Sequence, residues 1–135
     1  MAASILREYA KEKGLEDDIQ IDSAGIGDAY AGCGATEGSR EAIRKMYGKD
    51  LLKDHCSKSI SSLNLKEYDF IITMEVRHKR RLPKEKTQTL KEFVGEKGDI
   101  EDPIGQSQEI YDDRCKELRY YIEKAFGNIL PSSAH

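Results

Sequence analysis

The chain has 135 residues, 38% of them hydrophobic and 35% charged, with a formal net charge of -3. That length suits one domain with a full core and is too short for two, and the composition is that of a soluble globular protein. The acidic balance argues against general nucleic-acid binding. No apolar run approaches the roughly 20 residues of a membrane span, and Arg7 and Glu8 interrupt any signal-peptide core.

Ala2, Ile5, Leu6, Tyr9 and Ala10 recur at helical spacing and predict a helix that Gly14 ends. After the acidic turn Glu16-Asp17-Asp18, Ile19-Gln20-Ile21 alternates like a strand and runs through Ser23-Ala24-Gly25 into a Gly-rich loop reaching Gly38. A second helix is predicted over residues 39–47, with Ala42, Ile43 and Met46 inward and Gly48 as terminator. The continuous run over 68–74 has the β-branched and aromatic content of a strand covered on both faces. A basic helix over 75–82 follows, Pro83 interrupts, and Thr87-Gln88-Thr89-Leu90 reads as a further short strand. Over 109–126, Ile110, Tyr111, Cys115, Leu118, Ile122 and Phe126 recur at intervals of three and four and mark a long docked helix ended by Gly127. This alternation implies an α/β layer fold around a mainly parallel sheet. The expected organisation is a single domain over 1–127 with a flexible tail over 128–135.

Cys33, Cys56 and Cys115 are an odd number at wide spacing, with neither a CxxC pair nor a Cys/His array. That pattern excludes a disulfide framework and a structural zinc, and it fits a reducing, cytoplasmic compartment. Asp102 stands before Pro103, just ahead of the long helix, where a carboxyl is placed to give a proton to a leaving group; the bland reading is a loop Asp favoured before Pro. Positive charge is concentrated at Arg77-His78-Lys79-Arg80-Arg81, either to steer an anionic substrate or simply as a solvated helix face. Tyr111, Tyr120 and Tyr121 read as packing residues.

Ile21-Asp22-Ser23-Ala24-Gly25, His55-Cys56-Ser57-Lys58, Asp69-Phe70-Ile71-Ile72-Thr73-Met74-Glu75 and Asp102-Pro103 occur in the order and spacing of the low-molecular-weight protein tyrosine phosphatases, and the chain resembles that family over almost its whole length. Thr89-Leu90-Lys91-Glu92-Phe93 and the Ile104-Gly105 pair after Asp-Pro look closer to the bacterial branch that includes protein-arginine phosphatases. The resemblance implies a three-layer, doubly wound, mainly parallel sheet and hydrolysis of phosphotyrosine or phosphoarginine through a phosphocysteine. It matches Asp102 to the general acid and Ser23 and His55 to positions that brace an Asn of the catalytic loop. It implies no metal or organic cofactor, and phosphorylated protein as substrate.

Family members open with an apolar strand and a C-x5-R-S loop that carries the nucleophile and the phosphate-gripping Arg. Met1 to Leu6 here matches the helix after that loop, so those groups and the central first strand are expected to be missing from the chain. The three cysteines do not replace them: position 62, six after Cys56, is Ser; Arg40 lies seven after Cys33; and Cys115 sits on the buried stripe of the last helix. Without a first strand, the segments at 19–21 and 68–74 would flank a slot about 10 Å wide, two interstrand spacings. Such a slot is expected to close by direct pairing, exchange with a second chain, accept another strand, or stay loosely packed, and a homodimer through exposed strand edges is the favoured outcome. Two functional readings follow, a hydrolase by family that is inactive in these residues, and a non-catalytic phosphatase-fold binding protein or relic. An arsenate reductase relative stands behind both, because its close resolving Cys pair is not supplied.

Overall fold

A computed structural model describes residues 1–15, 17, 19–24, 36–53, 58, 63–101, 103 and 106–127. Helix α1, Ala2–Glu12, buries Ser4, Ile5 and Ala10 and runs out at Lys13, after which Gly14 takes φ +71°. Helix α2, Glu37–Tyr47, begins two residues earlier than its apolar spacing predicts, because the Thr36 hydroxyl accepts the Ser39 N–H and caps the first turn. Gly48 at φ +72° ends it in the left-handed conformation that glycine takes most readily. Helix α4, Gln108–Phe126, starts at a Ser107 cap and buries Tyr111, Cys115, Leu118, Ile122, Ala125 and Phe126.

Among the described residues two short parallel strands form the sheet, β1 Ile71–Thr73 and β2 Thr87–Thr89, with Ile71 opposite Thr87 and Thr73 opposite Thr89. A parallel pair needs a crossover, and the chain supplies one with the 3-10 turns Val76–Arg81 and Lys84–Lys86. Leaving β2, the chain enters α3, Leu90–Phe93, at once through a complete capping box between Thr89 and Glu92. Helix α4 packs on α1, α2 and α3. The core lies between them, with Ile5, Ile43 and Cys115 fully buried and Leu90 1% exposed. Each such aliphatic side chain contributes roughly 1.5–3 kcal/mol of transfer free energy.

Three elements differ from the sequence reading. The run over 68–74 yields a strand of only three residues, in which Ile71 and Ile72 are half-buried and Thr73 is buried, while Phe70 just before it is 52% exposed. The basic segment winds as a 3-10 turn, not an α-helix. Ile19-Gln20-Ile21 belongs to no strand pair among the described residues. Its Ile21 carbonyl accepts the Arg7 guanidinium at 2.6 Å, which ties the segment to α1. The Gly-rich loop over 25–35 and the expected tail over 128–135 lie outside the described residues.

Candidate active site

In α/β proteins the working groups gather in loops beyond the carboxyl ends of parallel strands. Here the carboxyl end of β1 is fixed by three local bonds. The buried Thr73 hydroxyl donates to the Glu75 carbonyl at 3.1 Å. The Met74 carbonyl accepts the Ile100 N–H at 2.8 Å, and the Val76 N–H donates to Asp99 Oδ1 at 2.7 Å. Residues 99 and 100 are thereby laid against the end of β1, with Ile100 only 2% exposed. Pro103 is buried, its carbonyl accepts the Gln106 N–H at 2.9 Å, and Ser107 then caps α4. Asp102 falls between these two anchored points in the chain and lies outside the described residues, as do His55, Cys33 and Cys56.

Ser23 is half-buried in the segment after Ile21. Its neighbour Asp22 ties that segment to the entry of β1. The Tyr68 phenol donates to the Asp22 carboxylate, which also accepts Gln20 Nε2 at 2.9 Å. These two donors hold the Asp22 carboxyl below its usual range, and the same carboxylate pushes the Tyr68 phenol up. Lys86 secures the near side of this tie, donating to the Leu65 carbonyl at 2.6 Å and the Tyr68 carbonyl at 2.9 Å. The two segments expected to flank the slot are therefore joined by side chains, and no direct pairing of their backbones occurs among the described residues.

Cys115 is fully buried beside Met46 Sδ at 3.8 Å, and desolvation pushes its thiol up, away from a thiolate. It packs as the stripe predicts. Within the basic cluster, Arg77 Nε bonds Glu75 at 2.6 Å, His78 lies 3.5 Å from the same carboxylate, and Lys79 bonds Glu92 at 2.8 Å. Much of its charge is spent within the fold, which favours the solvated-face reading. Tyr111 is packed as expected; Tyr120 is 57% exposed, and Tyr121 is half-buried with its phenol donating to Glu96 at 3.2 Å. No spacing in the sequence joins Asp22 to Tyr68 or Asp99 to Val76, so neither contact is legible there. Among the described residues no His/Cys/Asp/Glu group has metal-site geometry, and no helix is long and apolar enough to cross a membrane.

A parallel strand pair whose second strand runs directly into α3, beside a helical layer in which α4 packs on α1, α2 and α3, defines an α/β protein. Solved structures agree. A low molecular weight protein tyrosine phosphatase from T. tengcongensis superposes with a TM-score of 0.85 at 35% identity, covering 94% of this chain and 88% of that one. A YwlE mutant from Bacillus subtilis superposes with a TM-score of 0.83 at 27% identity, over 95% and 87%. The sequence model described as low molecular weight phosphotyrosine protein phosphatase matches residues 1–132, and the chain belongs to that family. Among curated relatives, a protein-arginine-phosphatase of Bacillus subtilis is 27% identical over 131 residues, 92% of this chain and 83% of its own. The low molecular weight protein-tyrosine-phosphatase PtpB of Staphylococcus haemolyticus is 33% identical over 126 residues, 90% of this chain and 87% of its own.

Proposed function

We propose that Asp102 is the general acid of a Cys-dependent phosphoprotein phosphatase acting on phosphotyrosine or phosphoarginine, with Ser23 and His55 bracing the loop that grips the phosphate. The observation that supports this is the anchorage of Ile100 and Pro103 on either side of Asp102, at the carboxyl end of β1. In the reaction a thiolate attacks phosphorus as the bond to the leaving oxygen or nitrogen breaks, and Asp102 gives that atom its proton. Backbone N–H groups and an Arg hold the remaining oxygens. Water then attacks the phosphocysteine, the Asp102 carboxylate taking its proton.

None of Cys33, Cys56 and Cys115 has an Arg six positions on. The proposal therefore assigns the thiolate to none of them. The second reading is a non-catalytic phosphatase-fold binding protein or relic. The net charge of -3 and the ion-paired basic cluster support a protein partner over nucleic acid, and the scattered thiols support the cytoplasm. The second edge of β1, unpaired among the described residues, supports a homodimer through strand edges. The test is p-nitrophenyl phosphate turnover by these 135 residues and by a version extended at the N-terminus with an apolar strand and a C-x5-R-S loop. Turnover in the extended protein alone is the expected result. Turnover by the 135 residues that survives Asp102→Ala and is lost in Cys56→Ser overturns the proposal.

A further inference from the structure

Helix α1 and the segment over 19–21 enclose a cleft of about 300 Å³, lined by Arg7, Glu8, Ala10, Lys11, Ile19 and Ile21. That volume is at the small end of the range that holds low-molecular-weight ligands. Arg7, Ala10 and Lys11 stand at i, i+3 and i+4 on α1 and so share one helix face. Ala10, 1% exposed, has the short side chain that leaves room between the two long cationic ones. The facing wall is aliphatic, with Ile19 and Ile21 two apart in an alternating segment and both half-buried. The charge on offer is positive. Glu8 is matched by Lys49 Nζ at 3.0 Å. Arg7 Nη2 donates to the Ile21 carbonyl at 2.6 Å, a neutral acceptor that orients the guanidinium and leaves its charge in place. Asp22 feels Arg7 through space, but its carboxylate takes its hydrogen bonds from Tyr68 and Gln20. Lys11 is exposed and forms no ion pair among the described residues.

We infer that this cleft binds a small carboxylate with an apolar body, its anionic end on Arg7 and Lys11 and its hydrocarbon against Ala10, Ile19 and Ile21. Guanidinium and ammonium groups are donors only, and a carboxylate is the acceptor that the planar guanidinium fork fits best. The bond to Ile21 holds that fork at the cleft, so little side-chain freedom remains to be lost on binding. The aliphatic wall rewards a ligand that covers it, because the area covered leaves water. The site draws on none of Asp102, Ser23 and His55, so it stands or falls apart from the proposed hydrolase.

The test titrates the isotopically labelled 135-residue chain with hydrocinnamate, its uncharged amide and acetate, and follows the backbone amide shifts. Hydrocinnamate is expected to saturate with a dissociation constant of about a millimolar, the scale of so small a ligand, and to move the amides of residues 7–11 and 19–22. The amide lacks the charge and acetate lacks the apolar body, so each should bind at least about tenfold more weakly. Lys11→Gln, at an exposed position, should weaken hydrocinnamate about two- to fivefold, the scale of an exposed charge pair. Arg7→Gln should weaken it about tenfold, the scale of a charge-assisted hydrogen bond. The probe comparison uses the unaltered chain, so it decides even if Arg7→Gln loosens the segment over 19–21. An amide or acetate that binds as well as hydrocinnamate overturns the inference. So do shifts that centre elsewhere, shifts that fail to saturate, and an affinity that neither Lys11→Gln nor Arg7→Gln changes.

Discussion

Gly38→Ala sets two known effects against each other on α2. Gly38 is the second residue of the helix, where alanine gains up to about 1 kcal/mol of helix propensity. Its φ is ordinary, so no backbone strain opposes the change. The opposition comes from α4: a Cβ built on Gly38 would stand 2.5 Å from Cδ2 and Cε2 of Tyr111 and 2.8 Å from Cγ. Carbon atoms pack at about 3.5–4.0 Å, so the ring or the helix must give by about 1 Å. Tyr111 is only 7% exposed and lies in the core cluster, and the Gln108 side chain clamps the same crossing by donating to the Gly38 carbonyl at 3.0 Å. Overpacking of this kind costs about 1–3 kcal/mol, which exceeds the propensity gain. With the full propensity gain set against it, the expected result is a net loss of up to about 2 kcal/mol, read as a fall of up to about 8 °C in thermal midpoint by circular dichroism. Tyr111→Leu in the same chain should relieve part of the loss, so the double variant is less destabilised than the two single changes sum to. A Gly38→Ala protein as stable as the parent, or more so, refutes the close approach of α2 to α4 and leaves helix propensity as the winning effect.

The pH dependence has a defined sign at Tyr47, whose burial pushes the phenol from 10.0 up to about 12. Its folded pKa is raised, so its contribution to stability is complete below about pH 10 and is lost between there and about 12; urea midpoints should fall across that window, and a phenol titrating near 10 in the folded protein contradicts the burial. Thr89→Ala removes the hydroxyl that accepts the Glu92 N–H at 3.1 Å, and should cost about 1–2 kcal/mol in chemical denaturation, with Thr89→Ser recovering part of it. Pairing through the second edge of β1 predicts a dimer by sedimentation equilibrium at micromolar concentration; a monomer throughout that range removes the homodimer proposal.

Helices α1, α2 and α4 were legible in the sequence because each carries its own punctuation, whereas α3 was not, its first residue Leu90 reading as the end of a strand. Ile5 and Ala10, Ala42 and Ile43, and the stripe from Tyr111 to Phe126 keep helical spacing, and Gly14 and Gly48 stand where positive φ is needed. Strand extent was less legible, since it depends on neighbours: within the run from Tyr68 to Met74, Ile71–Thr73 alone pairs among the described residues. Ile19-Gln20-Ile21 shows the same limit: it alternates as a strand would, and among the described residues it is held by the Arg7 side chain rather than by a ladder. Of the site, the Asp-Pro signal at 102 and 103 could be read directly. Its anchorage could not, since a bond from Asp99 to Val76 leaves no periodic trace.

The most direct measurement is the leaving-group dependence of aryl phosphate hydrolysis by the N-terminally extended protein, compared between the form that keeps Asp102 and its Asp102→Asn variant. A general acid matters most when the departing oxygen is basic. Asp102→Asn should therefore slow phenyl phosphate about 10²–10⁴-fold and leave dinitrophenyl phosphate nearly unchanged. Equal slowing of both substrates, or none of either, contradicts the role given to Asp102.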